Sequence, residues 1–544
     1  MRKILIILST LCLLLFTAFK SIDNRFELSK NLEIFAAVYK QLDLNYVEEI
    51  KPGKLMRTGI DAMLKSLDPY TVFYSEAQAE DALTKRTGEY GGLGISVTKI
   101  ENYLVVTDIF EGYSADKAGV HIGDKIIQVN GKNFKDKTNE DLSPVMRGAK
   151  GTKVNITLDR MGVGLLTLDL ERVEVKMKNV AYSGMANDEV GYIHLTNFMQ
   201  GAANEVKEAL INLKKEGCKS LILDLRDNPG GLLFESVDIV NIFIPQNELV
   251  VFTKGKSDVD YKEYKTRGRP TDLSIPVVVM VNERSASASE IVSGTLQDLD
   301  RAVVVGSNSF GKGLVQTTRP LPYRTQMKIT TAKYYTPSGR CIQSLNYSQK
   351  DVNGKAIKTA DSLRQEFKTR NGRKVLDGGG ILPDVEIEFK GELDFINQLK
   401  RQYLIFDYSV KAIADNNYNE LSERFKITTE DYKKFTNWVK NAGERIETNT
   451  DKAITVLEKT SEQEDVKLSA SSITALKEES WKQKEKVMTE NQSLLMDLIS
   501  LEVIRQKGLE KMHYKGKFKK DPATLKSLEV IQNSSLYINI LKGK

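Results

Sequence analysis

A chain of 544 residues is too long for one hydrophobic core, so roughly two to four domains are expected. With 41% hydrophobic and 28% charged residues and only 12 prolines, the composition is that of a folded globular protein and excludes long disordered linkers. The 79 Lys and Arg exceed the 73 Asp and Glu by a net +6 spread along the chain, and with no block of like charge to suggest one, no nucleic-acid partner is expected.

At the N-terminus Arg2 and Lys3 precede an apolar or small-residue run from Ile4 to Phe19, the order of an export signal. Residues 1–20 are therefore expected to be a signal peptide or a membrane anchor, and the protein to be exported, periplasmic or held at the inner membrane facing the periplasm. Thr17-Ala18-Phe19 is a poor small-x-small cleavage site, while the run falls short of the ~20 residues that span a bilayer comfortably. Cys12, Cys218 and Cys341 are too few and too scattered for a disulfide framework.

Residues 25–87 form a helical segment: Leu28, Leu32, Phe35, Tyr39 and Leu42 recur at three and four residues, and the helices are expected to be short and packed on a neighbour. Residues 88–172 change to short β-branched runs, Ile95 to Ile100, Leu104 to Ile109, Lys125 to Val129 and Lys153 to Leu158, which predicts a small β-rich module. Residues 173–390 alternate strands (Gly191 to Leu195, Ser220 to Leu225, Pro276 to Val281, Ala302 to Val305) with helices (Ala202 to Lys215, Glu290 to Gln297), the pattern of an α/β core. Residues 391–544 are charged and helical, with Asp521-Pro522 a good helix start. The fold class is thus multidomain α+β, and the chemistry is expected beyond the carboxyl ends of the core strands.

The stretch from Val277 to Gln316 is the most informative. A serine between a buried strand and a helix sits where free N–H groups can hold an anion, which makes a serine nucleophile plausible. The small residues beside Ser287 and the glycines beside Lys312 are read as allowing a peptide backbone to approach. A serine hydroxyl needs a base, and the three histidines suit poorly: His121 lies in the β module, His513 in the helical tail, and His194 within a strand. Lys312 remains, provided burial lowers its pKa from ~10.4 towards ~7–8, with Phe310, Leu314 and Val315 as the apolar surroundings. A Ser–His hydrolase through His194 stays open as an alternative.

Leu221 to Gly231 reads as a buried strand ending in a glycine turn, whose adjacent glycines let main-chain N–H groups face a carbonyl oxygen. Asp224, Arg226 and Asp227 are read as scaffold ion pairs. Gly92-Leu93-Gly94-Ile95 resembles the carboxylate-binding loop of PDZ domains, which implies a glycine turn whose consecutive N–H groups receive a terminal carboxylate while the strand from Ile95 pairs with the peptide. No HExxH and no clustered Cys/His/Asp set is present, so neither metal nor other cofactor is called for.

The strings SASASE (285–290), FGKGLVQ (310–316), DLRDNPGG (224–231) and YYTPSGR (334–340), between about Leu67 and Asp384, resemble the C-terminal processing (tail-specific) peptidases, serine peptidase family S41. The resemblance implies a serine endopeptidase with Ser287 as nucleophile, Lys312 as general base, Gln316 assisting the lysine, and the amides of Gly231 and Ala288 as the oxyanion hole. GLGI (92–95) with SADKAGVHIGDKIIQVNG (114–131) is similar to PDZ domains, which implies selection of protein or peptide substrates by a free, apolar C-terminus. A catalytically silent PDZ scaffold is the competitor from another class. The C-terminal helices are candidates for self-association or for docking an adaptor.

Overall fold

The structure is a computed structural model that describes residues 26–544 except 353, 388–393, 417, 419–420, 423–424 and 465–466. The signal or anchor expected over residues 1–20 lies outside the described residues, as does Cys12. Among the described residues no helix is long and apolar enough to cross a membrane.

Two compact units are present, one formed by residues up to Ala79 with Gln316–Thr330, the other by Glu80–Val315 with Thr331–Lys544. In the first, residues 26–45 and Pro52–Lys65 are helical, and the strand Val72–Tyr74 pairs antiparallel with the chain at Gln326–Lys328. Asp68 makes the turn before that strand by accepting the N–H groups of Tyr70 and Thr71 at 2.8 Å each. The packing expected for the first helix is not met: Leu28, Leu32 and Phe35 all remain more than half exposed.

The second unit is built around a six-stranded sheet, β1 (Val180–Met185), β2 (Val190–Leu195), β3 (Ser220–Asp224), β4 (Val277–Val281), β5 (Val303–Gly306) and β6 (Val385–Glu386), joined in that order. β1 runs antiparallel to β2, and all the later pairs are parallel. Central parallel strands must bury both faces, which explains their uninterrupted apolar sequences. Val277, Val279 and Val281 face one core with helices α1 (Ala202–Lys215), α2 (Leu233–Phe243) and α3 (Ala288–Asp298), whereas Val278 and Met280 face the other. That second face is covered by the last three helices of the chain, α4 (Glu510–Phe518), α5 (Pro522–Gln532) and α6 (Ser534–Leu541), through Tyr514, Phe518, Val530, Ile531 and Tyr537. The end of the helical tail is therefore a layer of the α/β core, while the helices between Asp394 and Gln506 form a core of their own.

The β module is an antiparallel sheet in the order Ile95–Ile100, Tyr103–Ile109, Lys125–Val129, Lys153–Arg160, Gly164–Glu171, with a helix at Asn139–Met146. Its entry and exit segments, Glu89–Gly92 and Val173–Lys176, pair with each other. Ile95–Ile100 is an edge strand and so presents unpaired main-chain groups. Phe406 of the helix Leu404–Asn416 packs on Ile100 and Val105, which seats the module on the helical tail.

Candidate active site

β4 delivers the chain into the turn Asn282–Ser287 and thence into α3. The three serines there have different fates. Ser285 is fully buried and its hydroxyl donates to Leu225 O at 2.8 Å; Ser289 is fully buried and donates to Asn228 O at 2.9 Å. Ser287 alone of the three is partly exposed, and it sits at φ 55°, ψ −112°, outside the regions that L-residues ordinarily occupy. Its carbonyl accepts the N–H groups of Glu290 and Ile291 at 2.9 Å each, which starts the helix. Ala288 is the first helical residue, so its N–H is among the donors that helix geometry leaves without an internal partner.

The glycine loop after β3 is held against this turn by Asn228, which is fully buried. Its amide donates to Leu195 O at 2.8 Å and accepts the N–H of Gly230 at 2.9 Å, while its carbonyl accepts Ala286 N at 3.0 Å. Gly230 has φ 92°, and a Cβ there would lie 2.6 Å from Ala286 O, 2.8 Å from Ala288 N and 2.9 Å from Ser287 Cβ. Only glycine fits so close an approach. Gly231 is pressed equally tightly on Phe198, whose carbonyl would stand 2.4 Å from an added Cβ. With the N–H of Gly230 committed to Asn228, Gly231 offers the next donor of the loop.

The expected scaffold ion pairs around this loop are present. Buried Arg226 pairs with Asp224 and with Asp521 of the C-terminal region, each at 2.7 Å, and Arg284 reaches Asp227 at 3.6 Å. Burial opposes ionisation of Asp224, but the Arg226 guanidinium and its hydrogen bonds outweigh burial and hold the carboxyl well below the usual range. Tyr192 donates its hydroxyl to the same carboxylate.

Lys312 follows β5 in a loop whose Phe310 N–H donates to Ser285 O at 3.0 Å. Glu290, fully buried, ties the lysine loop to the serine turn. One carboxylate oxygen accepts Ser287 N at 2.8 Å and Lys312 N at 2.9 Å; the other accepts Ser309 Oγ at 2.6 Å and Gly311 N at 2.7 Å. Burial raises the Glu290 pKa against those bonds. Lys312 itself is half-buried, beside buried Leu314.

Two expectations about this loop need correction. Phe310 is 44% exposed and does not complete the apolar surround assigned to it. The glycines flanking Lys312 serve internal packing: a Cβ on Gly311 would lie 2.4 Å from Ser344 Cβ, and one on Gly313 2.9 Å from Gln343 N. The alanines beside Ser287 are likewise buried, packed under the glycine loop.

Gln316 belongs to the first compact unit, where its side-chain amide donates to Thr330 Oγ1 at 3.3 Å. His194 is engaged elsewhere: its Nδ1 is 2.7 Å from the hydroxyl of Tyr514, and burial lowers its pKa. His513 Nδ1 lies 3.0 Å from Leu501 O. In the β module, Leu93 O accepts Ala115 N and Gly94 O accepts Phe110 N, so the 92–95 turn is fixed by the chain that follows the next strand. Gly94 has φ 80° and a Cβ there would meet Tyr113 Cβ at 2.4 Å, so glycine is required. Leu93 is buried in the module's core and Ile95 begins the edge strand.

Sequence reading gives no site role to Glu290 or Asn228, and it marks Asp521 as a helix start without its pairing to Arg226. For Glu290 a signal was present, since Ser287-x-x-Glu290 at a helix start is a capping-box pattern.

Comparison with known proteins agrees with this architecture. Residues 189–353 match the family model described as Peptidase family S41, residues 82–159 match the PDZ domain, and residues 395–531 match the probable PDZ-protease C-terminal helical domain. The carboxy-terminal-processing protease of Bartonella bacilliformis is 36% identical over 329 residues, which cover 59% of this chain and 75% of that protein. A probable CtpA-like serine protease of Staphylococcus aureus is 34% identical over 313 residues, 57% of this chain and 62% of that one. Among solved structures, the photosystem II D1 C-terminal processing protease aligns over 65% of this chain and 92% of its own, at 25% identity and a TM-score of 0.35. A PDZ domain of the carboxy-terminal protease from Vibrio cholerae, solved with a peptide, covers 16% of this chain and 99% of its own, at 20% identity and a TM-score of 0.16.

The chain belongs to the carboxy-terminal-processing proteases, serine peptidase family S41, and carries a PDZ domain and a C-terminal helical domain.

Proposed function

We propose that the protein is an endopeptidase of exported proteins that cuts by a Ser287/Lys312 dyad and selects substrates by a free, apolar C-terminus. Neutral Lys312 removes the proton from Ser287 Oγ as that oxygen attacks the peptide carbonyl. The amides of Gly231 and Ala288 receive the oxyanion, in a role where loss of one donor typically costs ~2.7–4 kcal/mol. The lysine ammonium then protonates the leaving amine, and water, activated by the same lysine, hydrolyses the acyl-enzyme.

The observation that carries this reading is the sorting of the serines. Ser285 and Ser289 are buried with their hydroxyls on main-chain carbonyls, whereas Ser287 is accessible at a strained turn bonded to the carboxylate that also holds the Lys312 amide. A Ser–His mechanism finds less support, because His194 is occupied with Tyr514. Selection of a C-terminus is supported by the rigid 92–95 turn at the start of a free edge strand, the arrangement that receives a peptide by strand addition. Export rests on the Arg2-Lys3 and Ile4 to Phe19 pattern.

The test is cleavage of an unfolded exported protein with an apolar C-terminus, and of the same protein ending in Asp-Asp, by wild type, Ser287→Ala, Lys312→Ala and Gln316→Ala. Turnover by Ser287→Ala would sink the mechanism. Equal KM for the two substrates would sink the C-terminal selection.

A further inference from the structure

Tyr334 lies in the strand Gln326–Tyr335 and is 1% exposed, yet it is bonded to both parts of the active site. Its hydroxyl donates to the carbonyl of Ser287 at 3.1 Å, and its main-chain N–H donates to the carbonyl of Gly313, the residue after Lys312, at 2.9 Å. Tyr334 is itself held in register against Thr253 of the strand Leu249–Gly255. Burial, followed by the nearby Glu290 charge, pushes the phenol far above its ordinary pKa, so it stays a hydrogen-bond donor at any working pH.

Ser287 needs such a restraint. Its φ of 55° and ψ of −112° persist only where the surroundings over-determine them, and the direction of its side chain follows from that backbone conformation. Glu290 restrains the N–H side of the residue. On the carbonyl side the amides of Glu290 and Ile291 are joined by the Tyr334 hydroxyl, a donor that comes from a different strand and not from the helix itself.

We propose that Tyr334 is a positioning residue for peptide hydrolysis: its phenol adds a restraint on the Ser287 carbonyl and its main-chain N–H holds the lysine loop, so that one buried residue helps set nucleophile and base relative to each other. The inference rests on the Ser287/Lys312 reading. A near-attack geometry degraded by a fraction of an ångström lowers kcat without weakening substrate binding.

The experiment uses the full chain and compares wild type, Tyr334→Phe and Ser287→Ala for kcat, KM and the rate of covalent labelling by a fluorophosphonate, each expressed per folded protein from circular-dichroism melts. Tyr334→Phe is expected to lose at least about tenfold in kcat with KM within twofold, and to label more slowly by a similar factor. A kcat within twofold of wild type, or a loss no larger than the loss of folded protein, overturns the inference. Where Tyr334→Phe folds poorly, Tyr334→Met, equally without a hydroxyl, is judged on the same three measurements. Turnover by Ser287→Ala would instead mean that the dyad reading has failed, whatever Tyr334 does.

Discussion

The main-chain amides of Ser287 and Lys312 donate to the same oxygen, Glu290 Oε2, at 2.8 and 2.9 Å. The two segments that carry them follow different strands, β4 and β5, so their spacing depends on this buried carboxylate as well as on the sheet. Glu290→Ala leaves four donors unsatisfied in the interior, at about 1–3 kcal/mol each and not strictly additive. It is expected to lower unfolding stability by at least ~3 kcal/mol in urea titration and to abolish turnover. Glu290→Gln keeps the shape but in either orientation turns an NH2 group towards at least one N–H donor, and should fold while losing at least about tenfold in kcat. Wild-type kcat in Glu290→Gln would remove Glu290 from the account.

The neighbouring serines separate structure from chemistry. Ser285→Ala and Ser289→Ala each delete a buried hydroxyl bonded to a carbonyl, worth about 1 kcal/mol, and should lower the melting temperature while keeping kcat within a few-fold. Ser287→Ala alters a partly exposed side chain and should keep most of its stability while losing activity. The opposite pairing of effects would move the nucleophile to another serine.

Much of this was legible in the sequence, for local reasons. Apolar runs such as Val277–Val281, and Leu221–Leu223 within Ser220–Asp224, are written that way because both faces of these strands are buried, and the amphipathic helix Ala202–Lys215 shows a clear period. Ser287 and Lys312 were singled out by the poor fit of the three histidines and by the resemblance of their strings to the S41 peptidases. What escaped was long-range: Arg226 to Asp521, His194 to Tyr514 and Tyr334 to Ser287 join positions whose spacing no periodicity records. Strand Gln326–Tyr335 was missed because only partial burial blurs its alternation. The tail read correctly as helical, but that its last three helices cover the sheet is a tertiary fact.

That docking has a direct consequence. Removing residues 508–544 would uncover Tyr192, Ile222, Val278, Met280 and Val305, and the shortened chain is expected to aggregate or lose its near-UV circular dichroism. The milder Asp521→Ala leaves Arg226 one carboxylate of its two, and should cost about 1–3 kcal/mol in thermal or urea unfolding. A soluble, fully active truncated chain would show that these helices are dispensable to the core.

Asp224 supplies a pH test with a definite sign. Its folded pKa is depressed below the unfolded ~3.9, so the stability it contributes is fully present above about pH 4 and is lost as pH falls through the folded value. The stability gap between wild type and Asp224→Asn should therefore be constant from pH 8 to about 5 and narrow only in acid below about 4. A gap that closes between pH 8 and 6 would show that this carboxylate is not the titrating partner of Arg226.

The central claim, that a lysine and not a histidine serves Ser287, is met most directly by initial rates of cleavage of an unfolded protein with an apolar C-terminus. Wild type, Lys312→Ala and His194→Ala are compared at pH 7 to 9, with folding verified for each. The account expects Lys312→Ala to fall by about a thousandfold or more and His194→Ala to stay within a few-fold of wild type. Full activity in Lys312→Ala, or loss of activity in a folded His194→Ala, would contradict it.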